Sequence, residues 1–166
     1  MSKPCSVAAG SAALLIAQLA EPPVARAQDY PDTPAWNSNV GFISGLGIAI
    51  LFADDGTAGG GLELSARYGI PVSFLVLAPG GRVGGYYLDE RFIGMLMPTA
   101  RATVPLGPLA PFVHGGVGAG MLTNPGDGGL AWLGGGGLMI HFGGVLSIGA
   151  EVNYEGITGT GFKVLS

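Results

Sequence analysis

Charged side chains are scarce in this chain of 166 amino acids. They make up 11% of the sequence, whereas hydrophobic residues make up 48%. An ordinary soluble domain carries roughly 25% charged residues, so this chain has too few charges to coat a soluble surface. The formal net charge is −4, which also excludes the basic surface typical of nucleic-acid-binding proteins.

The start of the chain has the pattern of an export signal rather than of a folded domain. Residues 1–27 combine a basic start at Lys3, an apolar run over residues 7–20 and a small-x-small cleavage site at Ala25-Arg26-Ala27. The apolar run is shorter than the ~20 residues that a membrane-spanning helix needs. We therefore predict a cleaved signal peptide over residues 1–27 and export of the rest of the chain.

Cysteine and long apolar helices are both missing after this segment. The single cysteine, Cys5, would leave with the signal peptide, so no disulfide is expected. The most apolar later stretch, residues 40–53, is interrupted by glycines and is too short to cross a bilayer as a helix. An exported, apolar chain without spanning helices can still reside in a bilayer as a closed β-barrel.

The chain does contain a regular alternation of apolar residues with small or polar ones. It is clearest in residues 135–154, where Gly143-Gly144 joins two alternating runs. In the second run one face is apolar and the other is small or polar. The apolar residues are Leu146, Ile148, Ala150, Val152 and Tyr154, and the others are Ser147, Gly149, Glu151 and Asn153. A period of two is typical of a strand with one apolar face, and a Gly-Gly pair supplies the positive φ values of a tight turn. This stretch therefore predicts a β-hairpin.

Similar runs fill the rest of the chain from Val40, after a polar leader at residues 28–39 that we expect to be flexible. The runs are 40–53, 62–70, 72–88, 96–104, 112–121, 138–142, 146–154 and a closing strand at 158–165. For 72–88 we favour one irregular strand over two short ones. The count predicts an all-β domain over residues 40–166, an eight-stranded antiparallel up-and-down barrel. Short turns at Pro71, 105–108 and 143–144 would lie at one end, and longer loops with most of the aspartates at the other.

The runs also resemble a known pattern of residue types. Residues 108–120 (PLAPFVHGGVGAG), with 62–68 and 99–105, resemble the proline-aromatic-valine-glycine strand of small porin-like outer-membrane β-barrels. The resemblance implies an eight-stranded transmembrane barrel of the outer membrane protein A type, in the outer membrane of a Gram-negative bacterium. Such a protein contacts outer-membrane lipid and is inserted by the barrel assembly machinery; we expect a monomer without a cofactor. The chain departs from the pattern at residues 162–166 (FKVLS), which lack a terminal aromatic residue.

The face opposite the apolar one would line the lumen, and several ionisable residues fall on it. They are Glu63, Arg67, Arg101, His114, His141 and Glu151. The interior of an eight-stranded barrel is just wide enough for side chains to fill, and buried charges need partners. We interpret these residues as a charged network that fills the lumen together with glycines, with both arginines close to the two glutamates. A constricted polar pore is the alternative.

Chemical functions have less support in the sequence. Two histidines on separate strands fall short of a metal-ligand set, and the glycine-rich strings lead into strands rather than into the helices that phosphate loops open. Neither histidine has a serine two residues away, as a resemblance to lipid A deacylases would require, and Ser147 is near only in sequence. We predict no catalytic residue, no cofactor and a structural or interaction role. The alternatives are a narrow channel for small solutes and a secreted soluble barrel that binds an apolar ligand.

Overall fold

The protein is described by a computed structural model that covers the backbone of residues 15–20 and residues 32–53, 55–123, 128–143, 146–160 and 162–166. Within these residues the chain forms β-strands and one short helix. In chain order they are β1 (Leu15–Ala20), α1 (Pro34–Asn39), β2 (Gly41–Ala53), β3 (Ala58–Val72), β4 (Leu75–Leu88), β5 (Arg91–Thr103), β6 (Leu109–Leu122), β7 (Gly128–Phe142), β8 (Leu146–Ile157) and β9 (Phe162–Leu165).

The strands form one closed antiparallel barrel. Each strand from β2 to β8 pairs with the next strand along the chain. The eighth place, between β8 and β2, is shared by two short strands: β9 pairs with both neighbours at one end of the barrel, and β1 pairs with both at the other. The predicted all-β fold and the eight-stranded antiparallel barrel are therefore confirmed.

The strands β1 and β9 lie end to end along a single line. Leu165 of β9 pairs with Phe52 of β2, and Leu15 of β1 pairs with Ile48, four residues earlier on β2. On the other side, β8 pairs with β9 through Tyr154 and with β1 through Gly149, so the two short strands follow one another along β8 as well. Half of the eighth wall position thus comes from residues 15–20, which lie inside the predicted signal peptide; cleavage of that peptide stays a prediction.

The two ends of the barrel have connections of similar length. The end that we call the turn end carries the connections 73–74, 104–108 and 143–145, and the loop end carries 54–57, 89–90, 123–127 and 158–161. The predicted difference in length is wrong, because β4 and β5 meet through a two-residue hairpin at Asp89 and Glu90, both with positive φ. Acidic residues do collect at the loop end. There the Thr57 N–H donates to Oδ1 of Asp55 at 2.9 Å, which lowers the pKa of that exposed carboxyl.

The hairpin of β3 and β4 tests two local predictions. Pro71 was predicted to form the turn, but it lies inside β3 and pairs with Val76. The chain reverses after Val72, at Ser73, whose φ is +56°. A proline near the end of a strand is compatible with pairing where its missing N–H is not needed. The prediction of one strand instead of two over residues 72–88 is confirmed from Leu75 onward, because β4 runs through Pro79 without a break, whereas residues 72–74 form the end of β3 and the turn.

Helix α1 closes the turn end of the barrel. Thr33 caps it by accepting a hydrogen bond from the Trp36 N–H at 3.4 Å, and Pro34 occupies the first turn, where no N–H is needed. The Ala35 N–H donates to the carbonyl of Gly107 at 3.1 Å, which fixes the helix to the β5–β6 turn. Ala35 is fully buried. Residues 34–39 of the expected flexible leader are thus a packed helix, while residues 28–31 lie outside the described residues.

The interior is filled in three layers. At the loop end, alternate wall residues form an apolar cluster: Ala49, Leu51, Tyr86, Leu88, Ile93, Met95, Met97, Leu122, Ala131, Leu133, Ile157, Phe162 and Val164. The middle layer holds the charged side chains. At the turn end, Ala35 of α1 packs against Ala110, Phe112 and Met139.

Candidate functional site: the charged interior of the barrel

All six predicted site residues lie on the inner side of the wall, with side chains almost excluded from solvent. The alternation of the strands accounts for this, since every second residue faces the lumen. Five of them belong to the middle layer: Glu63, Arg67, Arg101, His114 and Glu151. The sixth, His141, lies nearer the turn end and contacts none of these five.

The structure adds five residues to the middle layer that the sequence reading missed: Arg82, Tyr86, Asn153, Glu155 and Ser166. The signal for most of them was present in the alternation. Arg82 and Tyr86 share the parity of the inward residues of β4, and Asn153 and Glu155 continue the parity of Glu151 on β8.

Arg82 is the centre of the network. Its guanidinium forms ion pairs with Glu63, with Glu155 at 3.4 Å and with Glu151 at 3.5 Å. Tyr86 joins the same group, because its hydroxyl accepts from Arg82 at 3.0 Å and donates to Glu63 at 2.6 Å. A single cation thus holds three carboxylates, which satisfies the need of buried charges for partners.

The C-terminal residue also takes part in this group. The Ser166 hydroxyl donates to Oε1 of Glu155 at 2.5 Å, and the Ser166 backbone pairs with Asn153. The end of β9 is thereby tied to the charged layer as well as to the wall.

Arg101 contacts a different set of partners. It donates to Glu151 at 3.1 Å and to the Met139 sulfur at 3.3 Å. Its guanidinium carbon lies 3.7 Å from the centre of the Phe112 ring, a cation–π geometry. Arg101 therefore links the charged layer to the apolar cluster beneath α1.

His114 joins Glu151 through an amide. Its Nε2 lies 2.6 Å from Oδ1 of Asn153; since that oxygen only accepts, Nε2 carries the proton. The Asn153 amide nitrogen in turn donates to Glu151 at 3.0 Å. The glycines of β7 make room here: a Cβ at Gly137 would lie 2.9 Å from the Glu151 Cβ.

The two arginines and two glutamates that the sequence predicts to lie close together line one cavity, but they do not all pair with one another. Arg101 does pair with Glu151, but Glu63 pairs with Arg82 instead of Arg67. Glu63 and Arg67 lie four residues apart on β3, which separates their Cα atoms by about 13 Å at the rise of a strand. Cross-strand neighbours are much closer, and Arg82 lies on the adjacent strand β4.

His141 belongs to a smaller polar group that fastens α1. The Asn39 side-chain amide donates both to the Ala35 carbonyl at 2.7 Å and to Nε2 of His141 at 2.9 Å. Nε2 is therefore unprotonated, and Nδ1 donates to the Ser147 hydroxyl at 2.5 Å. A general base needs a free nitrogen lone pair on the serine hydroxyl, so this arrangement does not activate Ser147. Its effect is to hold the helix in the mouth of the barrel.

The outer wall has the opposite character to the middle layer. Among the described residues, 28 large apolar side chains are exposed, and all but Phe74 and Leu106, which lie in turns, belong to the strands. Apart from Lys163 and Arg91, which lie near the loop end, the charged residues of the described strands point inward. Exposed aromatic residues gather towards both ends: Phe52, Tyr87 and Tyr154 towards the loop end, and Phe42, Tyr68, Phe74 and Phe142 towards the turn end. Trp132 stacks edge-on with Tyr154 at 5.2 Å.

Within the described part of the chain, no group of three His, Cys, Asp or Glu residues could hold a metal ion. No helix there is long and apolar enough to cross a membrane. Comparison with protein-family models, with curated proteins and with solved structures finds no match to the chain.

Proposed function

We propose that this protein is an outer-membrane β-barrel of the eight-stranded, porin-like type, in a Gram-negative bacterium, with a structural or interaction role. The observation that carries the proposal is that apolar side chains cover the outside of the barrel and charged side chains lie inside it, the reverse of a soluble protein. The outer wall would contact lipid, and the connections 54–57 and 123–127 would meet the outside. Insertion would use the barrel assembly machinery, and no contact with nucleic acid is expected.

The energetics of the wall favour lipid over water. Covering one large apolar side chain is worth about 1.5–3 kcal/mol, so 28 partly exposed ones represent tens of kcal/mol. The stability of a folded domain is only about 5–15 kcal/mol, so a wall of this kind is better accommodated by a bilayer. Strands β2 to β9 close the loop-end half of the ring without an open sheet edge, which suits a bilayer because hydrocarbon penalises unpaired backbone groups.

The filled interior supports a role that does not depend on conduction. Apolar side chains occupy the loop end, ion pairs occupy the middle and α1 occupies the turn end. A solute channel would need a continuous polar path through all three layers. Discrete conductance steps in planar-bilayer recordings of the purified protein would contradict this part of the proposal.

The soluble alternative would need the reverse arrangement of polarity. A ligand-binding barrel has an apolar interior cavity and a charged exterior, whereas Arg82 and its three glutamate partners are buried and residues such as Leu62 and Leu64 are 59% exposed. The two hypotheses therefore differ in where the folded protein is found, in the outer membrane or in a soluble fraction.

Cell fractionation with gels of boiled and unboiled samples tests the proposal. We expect an outer-membrane pool whose unboiled band migrates differently from the boiled band, because a folded barrel in lipid resists detergent until it is heated. A soluble periplasmic or secreted pool without a band shift would contradict the membrane location and favour the ligand-binding barrel.

A further inference from the structure

One buried cation forms no ion pair with any carboxylate of the described residues. Arg67 on β3 is 6% exposed, and its Nε and Nη2 form no hydrogen bond. Among the carboxylates of the described residues, none forms an ion pair with Arg67, whereas Arg82 and Arg101 are both paired. An unpaired buried cation is costly, so the surroundings of Arg67 need a compensating group.

A cavity lies beside this guanidinium. Its volume is about 20 Å³, and it is lined by three arginines, two glutamates, two glycines of β2 and three other polar residues: Arg67, Arg82, Arg101, Glu63, Glu151, Gly45, Gly47, Ser65, Thr99 and His114. A cavity of roughly 10–15 Å³ on this measure already holds one water molecule. The space beside Arg67 therefore admits one small occupant and excludes larger organic molecules.

The lining offers more hydrogen-bond donors than acceptors. Besides Arg67, Nε of Arg101 and Nε of Arg82 have no hydrogen-bond partner among the described residues, and Nη1 of Arg82 has only its 3.5 Å ion pair with Glu151. The two carboxylates of the lining already accept hydrogen bonds: Oε1 of Glu63 accepts from Arg82 and Tyr86, and both oxygens of Glu151 accept. An occupant that only accepts hydrogen bonds fits this lining better than one that must also donate.

The distribution of charge points the same way. Three arginines and three glutamates balance formally, but two of the glutamates, Glu63 and Glu155, are bound to Arg82. The third, Glu151, is shared between Arg82 and Arg101. Arg67 is therefore the arginine of this layer without a described carboxylate at ion-pair distance. Glu151 acts on it only from farther away, and a neutral water molecule would add no countercharge.

We propose that this cavity is a binding site for a small monovalent inorganic anion of chloride size, held by the guanidinium groups of Arg67 and Arg101, which both line it. The anion places a countercharge in direct contact with Arg67, which no described carboxylate does. The site is a built-in part of the charged layer and is independent of the membrane role proposed above.

The test compares two anions of different size. The full chain is refolded in detergent micelles, and its thermal unfolding midpoint is measured in sodium chloride and in sodium gluconate at equal ionic strength. Gluconate is too large for the cavity, so only chloride stabilises the folded state. We expect the midpoint to rise by roughly 3–5 °C for each tenfold increase in chloride above its Kd. Identical midpoints in the two salts at every concentration would overturn the proposal.

Two variants assign the effect to the cavity. Arg67→Met removes the cation and should abolish the chloride dependence of the midpoint. Arg91→Met is the matched control, because Arg91 is exposed at the loop end, and it should keep the full chloride dependence. Chloride dependence that survives in Arg67→Met would contradict the site.

A direct measurement covers the case in which Arg67→Met does not fold. Crystals of the wild-type chain grown in sodium bromide would place an anomalous scattering peak beside the Arg67 guanidinium. Density there that fits water alone, without an anomalous peak, would overturn the proposal whatever the variants do.

Discussion

The two ends of the barrel interior are closed in different ways. At the loop end, side chains of the long wall strands, such as Leu51 and Ile93, meet in the centre and fill the space themselves. At the turn end, the space is filled by α1, and the wall beside it is completed by β1. Closure of the loop end is thus a property of the barrel strands and the short β9, whereas closure of the turn end depends on segments that precede them.

The largest effect is expected from removing residues 1–27, as cleavage of the predicted signal peptide would. Strand β1 then leaves the wall, and backbone groups of residues 43–48 on β2 lose their partners. Each unpaired group in an apolar environment costs several kcal/mol. Hydrogen exchange in micelles should become faster in β2 and β8 at the turn end, while protection at the loop end persists. Equal protection in both forms would show that the turn end does not depend on β1.

The next largest effect is expected from Arg82→Met. The substitution leaves Glu63, Glu151 and Glu155 without their shared cation, and breaking a buried pair costs about 3–5 kcal/mol. Thermal unfolding in micelles should show a clear loss of stability. Lys163→Met is the control, because Lys163 is exposed and its substitution should change the midpoint little. An unchanged unfolding midpoint in Arg82→Met would mean that the charged layer does not stabilise the barrel.

A cavity at the loop end should have a somewhat smaller effect. Leu51 is fully buried in the apolar cluster, and Leu51→Ala should destabilise the barrel by about 2–5 kcal/mol. The neighbouring Ile50 points outward and is 46% exposed, so Ile50→Ala serves as the matched control in a thermal melt. An equal loss of stability in both variants would contradict the assignment of inner and outer faces.

The smallest effect is expected at the turn end, from Asn39→Ala. The substitution removes the amide that joins the Ala35 carbonyl to His141, which costs about 1–3 kcal/mol for the polar groups left unpaired. Proteolysis should then cut near α1 while the barrel itself stays folded. Asn37→Ala is a suitable control, since the Asn37 side chain makes its hydrogen bond to Asp32 at the exposed surface. An unchanged cleavage pattern would mean that other contacts hold the helix.

Much of the barrel followed from the sequence because a strand with one apolar face carries its own signature. Residues such as Glu63 and Glu151 could be assigned to the interior from parity alone, as their neighbours Leu64 and Val152 are apolar and outward. Arg82 was missed, although its parity is equally clear, because Pro79 and the adjacent glycines made the strand pattern of β4 hard to read.

The sequence by itself determined the strands, their inner and outer faces and the overall barrel, because alternation is a local property of neighbouring residues. Only the tertiary structure decided which charges meet: Arg82 rather than Arg67 binds Glu63, since partners are set by the register between strands. It also decided that α1 closes the mouth and that β1 and β9 share one wall position. Those contacts join segments far apart in the chain, so a pattern of neighbouring residues cannot predict them.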